Sequence, residues 1–155
     1  MVRNLIGFVT GSGPGTGDYF LRLLSNELSV NQPVVIYNVP YPIGGSVKEQ
    51  QKAIDVIKGL GCSHICILCN SAHKTKKHLD FRGLVFIDLI SMACKYIKTK
   101  LINQDRVGIL TYDNSTTISL YQDNLCNIDL VAPLREDGEI VTETILMARK
   151  EVSNN

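Results

Sequence analysis

Ile65-Cys66-Ile67-Leu68, followed at once by Cys69-Asn70-Ser71-Ala72-His73, is the stretch that decides how this chain reads. Four apolar residues that stop abruptly at polar ones fit a short buried strand. The run ends in a thiol, an amide, a hydroxyl and an imidazole. Open α/β sheets take their ligands in the crevice outside the carboxyl ends of the strands, so this strand delivers reactive groups where such a sheet uses them.

Outward from that strand, apolar runs of strand length alternate with amphipathic stretches of helix length. Residues 5–10, 33–37, 63–68, 84–87, 107–111 and 129–132 read as strands. A helix from about residue 18 places Phe20, Leu21, Leu24 and Leu28 on one face. Ser46 caps a second helix with Val47, Ala53, Ile54 and Ile57 inward, stopped near Gly59 and Gly61. A third turns Ile90, Ala93, Cys94, Ile97 and Leu101 inward. A fourth follows the capping residues Asp113 to Thr116 and carries Ile118, Tyr121, Gln122 and Leu125; the last holds Ile140, Val141, Ile145 and Leu146. This βα alternation predicts parallel sheets built of βαβ units. The polar link Asn103-Gln104-Asp105-Arg106 divides an expected first lobe, 1–102, from a partial second lobe, 103–155.

The 155 residues are 45% hydrophobic and 20% charged with a formal net charge of +1. That balance supports a globular core and gives no electrostatic case for nucleic acid or an anionic membrane. The basic run Lys74, Lys76, Lys77, His78 and Arg82 reads as a solvated face. No apolar run is long enough to span a bilayer, and the first residues lack a signal-peptide pattern. A cytoplasmic address is therefore expected, with the five cysteines reduced.

Gly11-Ser12-Gly13-Pro14-Gly15-Thr16-Gly17 reads as a turn whose amides suit a carboxylate or phosphate. It departs from the P-loop, with Asp18 where Lys would stand, and from the dinucleotide fingerprint, with Thr16 in place of glycine. It also resembles the Gly-x-Gly-Pro-Gly loop of tetrapyrrole-type methyltransferases, which implies S-adenosylmethionine as an alternative ligand. Cys62, Cys66 and Cys69 have the C-x3-C-x2-C spacing of radical S-adenosylmethionine enzymes. Strand alternation, however, sets Cys62 and Cys66 on one face and Cys69 on the other, so no metal is expected. Cys66 then reads as a core residue and Cys69 as a functional thiol, its ionisation favoured by a following helix, with His73 near enough to hydrogen-bond it.

Around Cys69-Asn70-Ser71-Ala72-His73 the chain resembles the cofactor-independent aspartate/glutamate racemases, which carry Cys-Asn-Thr-Ala-His there. Gly7 to Pro14 with Asp18-Tyr19-Phe20, then Asn38-Val39-Pro40, Val107 to Leu110, Leu120-Tyr121-Gln122, and Pro133, Glu139, Val141, Ile145 and Lys150 extend the likeness in order along the chain. The resemblance implies flavodoxin-like three-layer lobes, the first complete and the second truncated. It also implies an amino-acid isomerase with no cofactor, in which one cysteine thiolate removes the α-proton and a second thiol returns a proton to the opposite face.

On that basis Cys69 is one catalytic residue, supported by His73. Gly11, Ser12, Gly13, Thr16, Asn70, Ser71, Ser115 and Lys150 bind a small amino acid or carboxylate. The family's second cysteine lies in a Gly-Cys-Thr-Glu segment that these 155 residues do not reach. Gly45 stands where aspartate racemases use Arg, and Tyr112 where the second lobe usually offers Thr. Cys94 and Cys66 read as core, and Cys126 sits at the far end of its helix, roughly 16 Å from the cleft end at 1.5 Å per residue. Three functions remain open: proton transfer through Cys69, a family remnant that binds a carboxylate or pairs with a partner, and a methyltransferase-like domain. Exposed strand edges predict a homodimer.

Overall fold

The structure is a computed structural model that describes residues 4–10, 14–27, 32–39, 46–100, 106–111 and 114–153. The described residues form six strands and five α-helices in the order β1 Ile6–Thr10, α1 Pro14–Glu27, β2 Val34–Asn38, α2 Val47–Gly59, β3 His64–Leu68, β4 Val85–Ile87, α3 Leu89–Lys100, β5 Arg106–Gly108, α4 Asn114–Gln122, β6 Asp129–Val131 and α5 Arg135–Ser153. A 3-10 helix, Ser71–His78, lies between β3 and β4. The α/β class follows, with every strand pair parallel. The chain packs as two compact units, Met1–Asp88 and Leu89–Asn155. No described helix is long and apolar enough to cross a membrane.

In the first unit the strand order is β2-β1-β3-β4. Register pairs Gly7 with Val35 and Ile65, and Val9 with Tyr37 and Ile67, so these residues share a face. Their cluster includes Ala53, Ile54 and Ile57 of α2. Gly7 lets α2 approach β1 closely: a Cβ there would overlap the Ile57 side chain. Each fully buried isoleucine of this layer contributes about 1.5–3 kcal/mol of transfer free energy. The opposite face carries Phe8, against Phe20 of α1 at 4.7 Å between ring centroids, and the buried Cys66. Ser46 caps α2 by accepting a hydrogen bond from the Glu49 amide, and Gly61, at φ +82°, follows the helix end.

Two local expectations change. Helix α1 begins at Pro14 rather than near residue 18, because proline's fixed φ and missing N–H suit the first helical position. Gly15 to Gly17 therefore belong to the helix, and Gly17 lies against Thr10 and Ile36. Leu21 is exposed, since Gly17, Phe20 and Leu24 form the inward stripe. Leu28 and Leu101 lie outside the described residues.

The second unit has a two-stranded sheet, β5-β6, in which Arg106 on one strand pairs with Asp129 on the other at 2.9 Å. Ile90 and Cys94 of α3 pack with Leu125, and Ile97, Leu120, Tyr121, Ile128 and Leu130 surround them.

Candidate active site

Parallel strands all end on the same edge, and the first polar residue after each apolar run therefore gathers there. In the first unit these are Thr10 on β1, Asn38 on β2, Cys69 after β3 and Asp88 after β4. The chain steps from β1 outward to β2, then returns past β1 to β3. That reversal is the topological switch point of flavodoxin-like sheets, where ligands bind. Thr10 and Cys69 flank it.

Cys69 is half-buried, and its Sγ lies 3.4 Å from the Ser71 hydroxyl. Its carbonyl is held twice, by the Ala72 amide at 3.2 Å and by His73 Nδ1 at 2.9 Å. His73 thus grips the backbone of Cys69 rather than its thiol. The segment that follows is a 3-10 helix because its amides reach back three residues, His73 to Asn70 for example, starting from helical dihedrals at Asn70. The Thr75 hydroxyl lies 2.9 Å from both the Ala72 carbonyl and the buried Gln50 side-chain oxygen, which ties this helix to α2. Asn70 is exposed and Ser71 half-buried on the strand-end side.

Behind the thiol sits a polar cluster that sequence reading passed over. The His73 ring is fully buried, and its Nε2 has no hydrogen-bond partner. Nε2 lies 3.8 Å from Asp88 Oδ1, while Lys76 Nζ holds Asp88 Oδ2 at 2.6 Å. Lys76 therefore leaves the solvated basic run, whereas Lys74 and Lys77 are exposed. Burial pushes the His73 pKa down, against the raising effect of its bond to the Cys69 carbonyl and of Asp88. His73 is accordingly neutral at neutral pH. On the opposite face of the sheet, burial and then the Asp88 charge push the Cys66 thiol up to about 11.

Cys66 and Cys69 face opposite ways, but Cys62 joins the cluster on the Cys69 side, because the strand begins only at His64 and alternation does not extend back to it. Among the described residues no group of three His, Cys, Asp or Glu side chains is placed to hold a metal. Thr10, fully buried, donates its hydroxyl proton to Asn38 Oδ1 at 2.7 Å. Neither residue was a sequence candidate, although the end of each apolar run marks it.

Gly11, Ser12 and Gly13 lie outside the described residues. Thr16, Ser115 and Lys150 fall within α1, α4 and α5, with side chains not among those described. Cys126 lies four residues beyond the end of α4 and is exposed.

No protein-family model and no curated protein matches the sequence. Solved structures do. The aspartate racemase of Picrophilus torridus aligns over 98% of this chain and 77% of its own at a TM-score of 0.66 and 19% identity. A putative Asp/Glu racemase from Yersinia pestis aligns over 93% and 70%, respectively, at 0.74 and 16%. The chain has the aspartate/glutamate racemase fold. The glutamate racemase of Francisella tularensis, solved in complex with D-glutamate, aligns over 85% of this chain and 53% of its own at 0.59 and 16%. The racemase fold accounts for the parallel β2-β1-β3-β4 sheet.

Proposed function

We propose that this protein is an aspartate/glutamate racemase-like isomerase that moves a proton at the α-carbon of a small amino or carboxylic acid through Cys69, without pyridoxal phosphate. The supporting observation is the position of Cys69 at the β1/β3 switch point, beside the Ser71 hydroxyl. Fold alone does not carry activity, so the proposal rests on this site.

In the proposed step the Cys69 thiolate takes the α-hydrogen as a proton, and the C–H electron pair moves into the adjacent carboxylate as an enolate. The α-proton of an amino acid is only weakly acidic, so fixed donors must meet the developing charge. Asn70 and Ser71 are the donors we assign, with the glycine turn as a further carboxylate ligand. Return of a proton from Cys69 gives exchange with retention. Return from the other face requires a second acid and gives inversion.

The test is nuclear magnetic resonance of aspartate, glutamate, alanine and serine in heavy water with the protein added. The proposal expects one α-proton signal to fade. If no signal fades while one acid raises the melting temperature by mass action, the binding reading replaces it. Stabilisation by S-adenosylmethionine alone would favour the methyltransferase-like reading of the glycine loop.

A further inference from the structure

We propose that His73 is a positioning residue for Cys69, holding its carbonyl through Nδ1 and meeting the Lys76–Asp88 ion pair through Nε2, so that proton uptake at Nε2 alters the reactivity of the thiol. The inference rests on Cys69 as the reacting group and adds to it a control element on the far side of the peptide.

The geometry fixes the tautomer. A carbonyl oxygen only accepts, so the 2.9 Å contact to the Cys69 carbonyl requires the proton on Nδ1. Neutral Nε2 then presents a lone pair, unbonded and fully buried, toward a carboxylate oxygen 3.8 Å away. Two acceptors face one another with no proton between them. An unpaired buried polar atom is costly, and a proton on Nε2 removes that cost while facing a carboxylate. Asp88 Oδ2 is held by Lys76 at 2.6 Å, and Oδ1 is the oxygen 3.8 Å from the imidazole. Protonated His73 completes a Lys76–Asp88–His73 chain of alternating charge without displacing the lysine.

The groups facing His73 can be named element by element. Cys69 comes from the end of β3, Lys76 from the 3-10 helix, Asp88 from the end of β4, and the Phe86 ring from β4 lies 5.7 Å away between centroids. Burial holds the ring neutral at neutral pH, so the switch is thrown by acidification. The link to chemistry is short. The carbonyl gripped by His73 is also the one that starts the 3-10 helix, and that first turn brings Ser71 Oγ to 3.4 Å from the Cys69 sulfur. Proton uptake at Nε2 puts a positive charge behind the Cys69 peptide and strengthens the Nδ1 donor, which favours the thiolate. Loss of the Nδ1 donor instead frees the turn that holds Ser71 near the sulfur.

The test reads the thiol directly, so its failure is separate from failure of α-proton exchange. The rate of iodoacetamide modification at Cys69 is followed against pH by peptide mass spectrometry, which separates it from the exposed Cys126. Asn at position 73 reproduces the Nδ1 donor, and Gln reproduces Nε2. His73→Gln is expected to raise the midpoint of Cys69 ionisation, because it gives up the Nδ1 donor to the Cys69 carbonyl and frees the turn that sets Ser71 near the sulfur. His73→Asn should keep the wild-type midpoint and lose the acid-side inflection in rate that wild type shows. Asp88→Asn should shift that inflection to lower pH. A purely structural His73 predicts lower melting temperatures for both variants with the Cys69 midpoint unmoved. That result, or identical profiles for the Asn and Gln variants, overturns the proposal.

Discussion

The two units are written in the same βα alternation yet differ sharply in what they bury. In the first, four strands stand side by side, and Val9, Ile65 and Ile67 are each at most 1% exposed beneath α2. In the second, among the described residues, β5 and β6 have only each other, and both run exposed, half-buried, exposed along their three residues. The contrast shows that neighbour number, more than local apolar content, decides how deep a strand lies. Among the described residues only the first unit offers four parallel strand ends, and those ends hold Thr10, Asn38, Cys69 and Asp88 of the candidate site.

The sharpest way to break this comparison is to cut the same kind of side chain from each sheet. Ile65→Ala should cost about 2–5 kcal/mol, the usual range for a buried isoleucine. Val107→Ala, on a half-buried position of β5, should cost about 1 kcal/mol or less. Hydrogen exchange resolved by peptide under increasing urea measures both, and equal losses would remove the distinction between the units.

A smaller effect tests the contact that seals the first unit. Gly7→Ala drives a methyl into Ile57 and should cost about 1–3 kcal/mol, as overpacking does. Combined with Ile57→Ala, which removes the overlapped Cγ2, the double variant should cost less than the sum of the two, read from urea midpoints. Costs that simply add would show that β1 and α2 are not in direct contact at this point.

The smallest effect is proton-linked and belongs to the first unit alone. The His73 pKa is lowered on folding from its ordinary 6.5, so the unfolded chain binds the proton first. Stability therefore falls as pH drops below about 6.5 and levels off once the folded form is also protonated. His73→Asn should flatten the urea midpoint across that window. An equally steep decline in the variant would place the titrating group elsewhere.

Much of this fold is legible in the sequence because strands flanked by helices on both sides need unbroken apolar runs, and Ile65-Cys66-Ile67-Leu68 is one. The α1 start is less legible. Four glycines in seven residues suggest a turn, but Pro14 opens the helix and Gly17 serves close packing against Thr10 and Ile36. The 3-10 form of Ser71–His78 is hidden because its register depends on tertiary ties, Thr75 to Gln50 and His73 to the Cys69 carbonyl. Lys76 looks like its neighbours in sequence; only folding sets Asp88, twelve residues later, beside it. The thiol marks the candidate site in the sequence, while the Lys76–Asp88 support behind it is visible only in space.

The central claim is that Cys69, at the β1/β3 crossing, is the group that moves a proton. Its most direct test is α-deuterium incorporation into an amino-acid substrate by wild type beside Cys69→Ala, with circular dichroism confirming that the variant is folded. The account predicts incorporation by wild type and none above the protein-free rate by the variant. Undiminished incorporation by a folded Cys69→Ala would contradict it.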